Sequence, residues 1–462
     1  MQLSTKYTMI ASINPCNNQI ISTFEAHTPT EVQTTIRQSQ NALQQWKHFP
    51  IEMRAEKLRQ LAQILRLRKE EFAAIMSLEM GKVLREARAE IEKCAMTCEF
   101  YAEKAPIWLA DQEVSTEARR SYVRFEPLGI VLAIMPWNFP FWQFLRFAAP
   151  ALVAGNVVLL KHAPNVPQSA LAIMSAMAQA GLPEGVFGNL FLPNERVHEA
   201  IENPLVQAIT FTGSSAAGRK VASLAGLHLK KAVLELGGSD PFMVLADADI
   251  AFTAKQAAKA RMTNTGQSCI SAKRFIVEKA VVQEFTEALR HELSSLKMGN
   301  PADETNDYGA MAREDLAQTL QLQVENSVRG GAKLLLGGTR PDYSGAWFPA
   351  TLLTDVQANT PAYSEEMFGP VAAIITAENT EHALQIANDT DYGLGGSVWT
   401  KDLEKGEAVA RRIQAGNAFV NEIVKSDPRL PFGGIRQSGY GREMSHFGLT
   451  EFTNVKSIWI AS

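Results

Sequence analysis

The first candidate for chemistry is a single cysteine in a loop of small polar residues. Cys269 follows residues 264–268, Asn-Thr-Gly-Gln-Ser, between a helical pattern and a strand-like run. Small neighbours let a carbonyl carbon approach a thiol to bonding distance, so this loop favours a nucleophile. A lone cysteine also serves as a small buried hydrophobic residue, and the segment alone leaves both interpretations open.

A carboxylate at the end of an apolar strand is the second candidate. Glu235 lies between Leu234 and Leu236 and is followed by Gly237 and Gly238. Partial desolvation raises the pKa of such a carboxyl group toward the range in which it takes up a proton at neutral pH. An ordinary charged strand end followed by a turn explains the same pattern equally well.

Two further turns could bind negative charge. Asn138 is held between Pro136 and Pro140, and a rigid amide donor of this kind suits an oxyanion. Gly213 and Ser214 follow a strand and open a helix, where a pyrophosphate binds well. The alternatives are a proline turn with an aromatic plug and a glycine pattern that differs from the dinucleotide fingerprint.

The elements that must position these residues are predicted to be helices first, and strands alternating with helices afterwards. Up to about residue 110, apolar residues recur at three- and four-residue steps in two series separated by Gly81, which predicts two amphipathic helices. After Ser121 the alternation indicates two α/β units with mostly parallel sheets and a boundary near Gly237 and Gly238. The predicted strands are residues 130–135, 157–160, 185–192, 208–211, 233–236, 242–245, 274–277, 333–336, 371–375, 397–399 and 417–421.

Composition limits the class of protein. The 462 residues, at about 150 per domain, make roughly three domains, and 45 Lys+Arg against 49 Asp+Glu predict neither nucleic acid nor an anionic membrane as a partner. Four scattered cysteines and an N-terminus without a signal-peptide pattern favour a reducing, cytoplasmic location. Cys94 and Cys98 fall on an apolar helix face without further ligands, so no metal site is expected.

One apolar stretch superficially resembles a membrane span. Residues 127–160 carry a single charge, Arg146. Pro136, Pro140 and Pro150 interrupt the ~20-residue apolar helix that a bilayer needs, so we expect a buried strand, loop and helix instead. A buried guanidinium needs an anionic partner, either an internal carboxylate or a substrate.

Together, these motifs resemble those of the aldehyde dehydrogenase family, in the family's order and over essentially the whole chain. The resemblance implies an α/β fold with two Rossmann-type α/β domains and a small β oligomerisation element. It divides the chain into an NAD(P)-binding domain at 1–113 and 127–237, a catalytic domain at 238–440 and an oligomerisation element at 114–126 and 441–462. A homodimer or homotetramer is expected. The matching segments are Asn14 and Pro15 and residues 136–140, 161, 211–214, 235–238, 266–269, 365–370 and 431–434.

The resemblance also implies roles for the first three candidates. Cys269 attacks an aldehyde, and the Asn138 side chain and the Cys269 backbone N–H hold the resulting oxyanion. Glu235 then activates the water that hydrolyses the thioester. A free cysteine is only a few per cent thiolate at neutral pH, so Cys269 needs Glu235 or the local field to ionise it.

For the cofactor, the resemblance implies NAD or NADP. The commonest NAD-type pattern has a glutamate three residues after Lys161, where this chain has Pro164. Without that carboxylate, and with a lysine and a histidine adjacent, we expect a 2′-phosphate to be tolerated. The cofactor-binding residues implied are Trp137, Asn138, Lys161, His162, Ala163, Pro164, Gly213, Ser214, Leu236, Glu366 and Phe368.

The small-molecule substrate is an aldehyde, and the resemblance is strongest to succinate-semialdehyde dehydrogenases. It places Arg146 and Ser426 on the substrate carboxylate, and a second arginine common in that group is Thr263 here. Lys425 or Arg429 is the expected replacement. The alternatives are an aldehyde dehydrogenase of broader specificity, acyl transfer to a thiol such as coenzyme A, which Glu235 disfavours, and a thiol esterase without redox chemistry.

Overall fold

A computed structural model of the chain describes residues 9–461. The strands in this range, in chain order, are β1 Met9–Asn14, β2 Gln19–Glu25, β3 Gln112–Glu113, β4 Arg120–Pro127, β5 Ile130–Met135, β6 Val157–His162, β7 Phe187–Asn189, β8 Val206–Thr212, β9 Lys231–Glu235, β10 Pro241–Val244, β11 Arg274–Glu278, β12 Lys333–Leu336, β13 Thr351–Thr354, β14 Val371–Ala377, β15 Gly395–Trp399, β16 Asn417–Val420, β17 Gly439–Tyr440 and β18 Thr453–Ile460.

The α-helices of the same range surround these strands. They are α1 Pro29–Trp46, α2 Ile51–Leu67, α3 Lys69–Met80, α4 Leu84–Trp108, α5 Pro140–Val153, α6 Pro167–Gln179, α7 His198–Ile201, α8 Ser215–Leu227, α9 Ile250–Met262, α10 Val282–Ser294, α11 Glu314–Arg329, α12 Pro361–Ser364, α13 Thr380–Asn388, α14 Leu403–Ala410 and α15 Ser445–Glu451. Short 3-10 helices cover Asn194–Arg196, Thr263–Gly266 and Arg436–Ser438.

The first large sheet has the order β17-β9-β8-β5-β6-β7, and all of its pairs except β17-β9 are parallel. Strands β5 and β6 are buried along their whole length, as expected of parallel strands covered on both faces. The order reverses between β5 and β8, and such a switch point at the carboxyl ends of parallel strands is where α/β sheets bind ligands.

The second large sheet has the order β12-β13-β14-β11-β10-β15-β16, with β12 antiparallel to its neighbour and the rest parallel. Residues 236–240 run directly from the end of β9 into β10. The carboxyl edge of the first sheet therefore meets the amino edge of the second, and Cys269 lies there, just before β11.

A separate antiparallel sheet has the order β18-β4-β3, and β18 pairs with β4 over its full length from Thr453↔Pro127 to Ile460↔Arg120. A further hairpin joins β1 to β2 near the start of the described range. The tail strand therefore pairs with β4 of its own chain, and its other edge has no partner strand within residues 9–461.

The structure differs from the sequence-based expectations in three places. The first of the two predicted amphipathic helices is two helices, α2 and α3, broken at Arg68. Strand β17 belongs to the first sheet, although sequence division put residues 238–440 in one unit. The predicted strand 185–192 is reduced to β7, Phe187–Asn189, and Gly185 lies before its start with a positive φ of 83°.

Other expectations agree with the structure. Gly81 ends α3 in the left-handed region, at φ 76°, as predicted. Residues 127–160 form buried strands and α5, and every residue of α5 is buried. Within residues 9–461, no helix combines the length and the hydropathy that crossing a bilayer requires.

Candidate active site

The Cys269 loop has a backbone that few sequences adopt. Asn264, Thr265 and Gly266 all have positive φ, at 55°, 56° and 72°. A Cβ on Gly266 would overlap the Gly369 carbonyl group, so this turn requires glycine. Arg261 is fully buried beneath the turn and donates to the Gly266 carbonyl oxygen.

A buried lysine holds the other side of the loop. Lys273 Nζ donates to the carbonyl oxygens of Ser268 at 3.0 Å, Cys269 at 2.8 Å and Ser271 at 3.1 Å. The carbonyls of this segment therefore face Lys273. The Cys269 backbone N–H has no protein acceptor within residues 9–461, and is available to an oxyanion.

Asn138 is fixed against the same loop. Its Nδ2 donates to the Gln267 carbonyl oxygen at 3.1 Å, while Asn264 Nδ2 donates to the Asn138 carbonyl oxygen at 2.8 Å. Lys82 Nζ also donates to the Asn138 carbonyl oxygen, at 2.9 Å. Among the described residues the Asn138 Nδ2 has no second acceptor, so the Asn138 amide and the Cys269 N–H are two candidate donors to an oxyanion at this place.

Glu235 ends β9 as a buried carboxyl group with 2% of its surface exposed. Burial raises its pKa well above the usual value; the positive charge of Arg146 opposes this shift, and the negative charge of Glu443 adds to it. Its Oε1 has no hydrogen-bond partner in the described part of the chain. Gly433 passes so close that a Cβ there would lie 2.8 Å from Oε1.

The thiol of Cys269 is protonated in this arrangement. Burial raises its pKa to about 12, and the positive charges of Arg146 and Lys273 lower it only in part. A thiol of this kind needs a proton acceptor before it can attack. Glu235, whose raised pKa suits it to proton uptake, is close enough for its charge to influence the thiol.

Arg146 has an internal partner. Its Nε forms an ion pair with Glu443 Oε2, and its Nη2 lies 3.9 Å from Glu235 Oε2. Its guanidinium also lies 5.1 Å from the Phe432 ring centroid. Of the two partners that the sequence left open, the structure supplies the internal carboxylate, which is buried on the α15 side of the site.

Ser426 and Cys269 line one cavity of about 250 Å³. Its walls also include Lys93, Trp142, Arg146 and Phe432. Ser426 Oγ accepts a hydrogen bond from Lys93 Nζ at 2.7 Å. The cavity therefore joins the thiol to a hydroxyl and an ammonium group.

The two expected replacements for the second arginine are engaged elsewhere. Lys425 Nζ contacts Glu422 at 2.6 Å, and Arg429 Nη2 contacts Asp427 at 2.6 Å. The side chains of both cations are more than half exposed. Thr263 does line the cavity, but neither Lys425 nor Arg429 directs an unpaired charge into it.

The cofactor candidates on β6 separate into two kinds. Lys161 is buried, donates to Asn194 Oδ1 at 2.6 Å and has a pKa lowered to about 8 by burial. Glu195, which follows Asn194, is the carboxylate whose charge acts on it. Glu195 was not expected near Lys161, because it belongs to a segment distant in the sequence.

His162 does not face a phosphate site. Its Nε2 donates to the Pro140 carbonyl oxygen at 3.0 Å, and its Nδ1 accepts from the Ala163 N–H at 2.9 Å. Burial lowers its pKa to about 4, so the ring is neutral. Both ring nitrogens of His162 bind the backbone, so the expected tolerance of a 2′-phosphate depends on Lys161 and on the missing carboxylate at Pro164 and not on the His162 side chain.

Gly213 and Ser214 introduce helix α8 at the edge of the first sheet. Ser214 caps the helix by accepting from the Ala217 N–H at 3.3 Å, and the Gly213 N–H donates to the Glu235 carbonyl oxygen at 3.0 Å. Leu236 packs so tightly on Gly218 that a Cβ there would come within 2.5 Å of it. The helix N-terminus thus stands beside the carboxyl end of β9.

Glu366, Phe368 and Trp137 lie where the segments that follow the first sheet contact those of the second sheet. Glu366 Oε1 accepts from the Gly238 N–H at 3.0 Å and lies 3.7 Å from Lys273 Nζ. The rings of Trp137 and Phe368 contact edge to face at 5.8 Å. A Cβ on Gly237 would overlap the Glu366 carboxylate, so this approach needs glycine.

These residues fit a dinucleotide cofactor. The α8 N-terminus offers partial positive charge for a pyrophosphate, and Lys161 lies near the carboxyl end of β6, on the other side of β5 from β8. Thr212 Oγ1, on the last residue of β8, is buried without a hydrogen-bond partner among the described residues. An unsatisfied hydroxyl at the switch point is consistent with a polar ligand there.

Sequence reasoning missed several residues that shape the site. Lys273 follows Cys269 by four positions, and a lone lysine before an apolar strand was a usable signal. Glu443 gave no such signal, since its role depends on its contact with Arg146. Glu90 and Lys93 were missed because they occupy polar positions of an amphipathic helix, and Lys82 because it lies in the short turn before that helix.

The comparisons with known proteins agree with this geometry. The model of the aldehyde dehydrogenase family matches residues 2–458. The chain is 49% identical to a succinate-semialdehyde dehydrogenase (NADP+) of Synechocystis, over 98% of this chain and 100% of that one. It is 44% identical to the succinate semialdehyde dehydrogenase Sad of Escherichia coli, over 98% of each chain.

Among solved structures, succinic semialdehyde dehydrogenase from Streptococcus pyogenes in complex with NADP+ superposes with a TM-score of 0.96. It is 35% identical, and the match covers 98% of this chain and 100% of that one. The fold predicted from the motifs is therefore confirmed. The chain belongs to the aldehyde dehydrogenase family.

Proposed function

We propose that this enzyme oxidises succinate semialdehyde to succinate, with NADP+ or NAD+ as the oxidant and water as the acyl acceptor. The observation that carries the proposal is the cavity in which the Cys269 thiol shares walls with Lys93 and Ser426. An aldehyde that also bears a carboxylate fits this cavity, because its carbonyl carbon can meet the Cys269 thiol while its carboxylate meets Lys93 and Ser426. The names of the relatives from Synechocystis, Escherichia coli and Streptococcus pyogenes support the same substrate.

The reaction begins at Cys269. Its proton passes to Glu235, the nearby proton acceptor, which must release it again before the hydrolysis step. Sγ forms a bond to the aldehyde carbon while the carbonyl π electrons move to oxygen. The Asn138 amide and the Cys269 N–H then stabilise the oxyanion. A nicotinamide held beside Glu366, Phe368 and Trp137 would supply the two-electron oxidant, and removal of hydride from this adduct would leave a thioester on Cys269.

Glu235 completes the reaction. Its carboxylate takes a proton from water while the water oxygen attacks the thioester carbon. The C–S bond breaks, the sulfur leaves as thiolate, and the acid is released. The partnerless Oε1 of Glu235 is the atom available to that water. Because Glu235 activates water, the acyl group is transferred to water and not to a second thiol.

Cofactor binding is assigned to the residues around the α8 N-terminus. Ser214, Gly213 and Leu236 border the pyrophosphate position, Lys161, Ala163 and Pro164 the adenosine ribose, and Glu366, Phe368 and Trp137 the nicotinamide end. His162 contributes through its backbone. Because Pro164 supplies no carboxylate and Glu195 is exposed, we propose that both NADP+ and NAD+ are used.

Domain division and assembly belong to the same proposal. We assign residues 1–113 and 127–237 to cofactor binding, 238–440 to catalysis and 114–126 with 441–462 to oligomerisation. Sheet β18-β4-β3 unites the two parts of the last unit. A dimer or tetramer formed through this sheet is expected.

Rates of reduced-nicotinamide formation test the proposal. Succinate semialdehyde is compared with glutarate semialdehyde and with butanal, a neutral aldehyde of matched length, with each cofactor. We expect kcat/KM for succinate semialdehyde to exceed that for butanal by at least about tenfold, the contribution of one charge-assisted hydrogen bond. Equal values would support a broad aldehyde dehydrogenase, and ester hydrolysis without aldehyde oxidation would support the esterase.

A further inference from the structure

The cations near the cavity differ in whether their charge is already balanced. Arg146 is paired with Glu443, Lys425 with Glu422 and Arg429 with Asp427. A cation that holds a carboxylate has less to gain from a second one. These three residues are therefore poor sole anchors for an anionic substrate.

Lys93 is the exception. It extends from α4 into the cavity, donates to Ser426 Oγ at 2.7 Å and lies 4.1 Å from the Trp142 ring centroid. The carboxylates whose charge acts on it, Glu90 and Asp427, form their own ion pairs with Lys82 and Arg429. Lys93 therefore faces the cavity without an ion-pair partner in the described range.

The geometry around Lys93 suits a bound carboxylate. An ammonium group has three N–H donors, and Ser426 uses one of them. A carboxylate between Lys93 and Ser426 would accept a charge-assisted hydrogen bond from the lysine and a second bond from the serine hydroxyl. The aromatic face of Trp142 keeps the ammonium group in place when the cavity is empty.

We infer that Lys93, with Ser426, binds the carboxylate of the substrate and sets the preference for an acidic aldehyde. The inference rests on the proposed function and names the group that supplies its specificity. Lys93 provides the positive charge that Thr263 cannot. Arg146 then acts on the chemical end of the cavity, where its guanidinium lies beside Glu235 and Cys269.

The burial of Lys93 gives an energetic reason for it to bind a carboxylate. It lowers the pKa of Lys93 to about 8, so the free enzyme holds this charge at a cost. A bound carboxylate would compensate that cost and raise the pKa of Lys93 again. Binding energy is thus gained only with an anionic substrate.

The test compares Lys93→Met with Lys425→Met, a matched loss of one lysine charge at the cavity rim. For each, kcat/KM is measured with succinate semialdehyde and with butanal. In Lys93→Met we expect the ratio of the two values to fall about tenfold to hundredfold, through KM of the anionic substrate. Lys425→Met should keep the ratio within about twofold of wild type, because an exposed ion pair contributes little.

Lys93→Arg and product inhibition guard against a simple folding defect. The arginine variant retains the charge and should recover most of the ratio. Succinate should inhibit butanal oxidation less strongly in Ser426→Ala than in wild type. A wild-type preference for succinate semialdehyde that survives in Lys93→Met would overturn the role of Lys93 alone, whereas a wild type without that preference overturns the proposed substrate as well.

Discussion

Cys269 and Glu235 belong to one buried electrostatic system with Arg146 and Glu443. Two carboxyl groups face one guanidinium, and burial raises the pKa of both. The negative charge of Glu443 adds to the shift at Glu235, while Arg146 opposes the shift at each carboxyl group. Arg146 pairs directly with Glu443 and lies farther from Glu235. Because the ion pair of Arg146 with Glu235 is the longer of the two, Glu235 is the carboxyl group that is more available to accept a proton beside the thiol.

At this scale, motifs identified the reacting groups but not their electrostatic surroundings. Cys269, Glu235 and Asn138 stand in short segments whose residue types suggest their chemistry. The ion pair of Arg146 joins α5 to the segment before α15, and no local pattern predicts it. The neutral state of His162 likewise depends on burial in the folded chain, which lowers the pKa of the ring although its hydrogen bond to the Pro140 carbonyl oxygen acts in the opposite direction.

The pH dependence of substrate preference follows from Lys93. Above pH about 8 its ammonium group loses its charge, so kcat/KM for succinate semialdehyde should fall relative to that for butanal. The charged or titratable groups that act on it are Glu90 and Cys94 on α4, Arg146 on α5 and Asp427 beside Ser426. Steady-state rates with each aldehyde at pH values on both sides of 8 give the ratio of the two kcat/KM values directly.

Its control is Lys93→Arg. The guanidinium remains protonated throughout, so the ratio should stay level as the pH passes 8. A wild-type ratio that is also level would show that Lys93 does not hold the carboxylate.

At the scale of elements, α4 and the turn before it organise the site. Lys82 and Glu90 form a fully buried ion pair, and Glu90 Oε1 accepts from the Phe141 and Trp142 N–H groups at 2.9 and 3.0 Å. Glu86 accepts from the Asn264 N–H at 3.1 Å. One helix therefore fixes both the start of α5 and the loop before Cys269.

Loss of the Lys82 charge should be costly. Lys82→Met leaves Glu90 buried without its cation, and the free energy of unfolding should fall by about 3–5 kcal/mol. Denaturant unfolding at constant pH measures the change. The matched control is Lys279→Met, which removes an exposed ion pair with Glu378 and should cost about 0–1 kcal/mol.

Equal effects of the two substitutions would contradict the role given to α4. The sequence predicted this helix from its apolar face, and Cys94 and Cys98 are buried in it as expected. The buried charges of α4 were not predicted, because hydrophobic periodicity does not distinguish a surface charge from one buried against a second element.

At the scale of the whole molecule, the two large sheets place the site and the third sheet extends from them. The alternation of strands and helices predicted both α/β units, while the pairing of β17 with β9 required knowledge of the fold. A two-residue strand carries no pattern of its own. The path of the chain back to the first sheet is what brings Gly433 and Glu443 to Glu235.

Strand β18 presents apolar side chains to solvent along an edge. Val455 is 60% exposed and Trp459 is 55% exposed. A long exposed edge strand of this kind is a ready partner for another chain. We expect Val455→Glu with Trp459→Glu to convert the oligomer that we propose to a smaller species, as measured by sedimentation velocity.

The same charge added away from this sheet provides the comparison. Leu227→Glu with Leu229→Glu changes two exposed apolar residues at the end of α8 and should leave the mass unchanged. An oligomer that persists in the β18 variant would exclude this sheet as the interface.

The central claim is that Cys269 carries the acyl group of succinate and Glu235 releases it. The most direct measurement is the intact mass of Glu235→Gln after mixing with succinate semialdehyde and NADP+, followed by peptide mapping. We predict one succinyl group on Cys269, formed more slowly than in wild type because Glu235 no longer assists removal of the thiol proton, and a turnover about 10²- to 10⁴-fold below wild type, because hydrolysis has lost its base. A succinyl group on another residue, or rapid turnover without any adduct, would contradict the account.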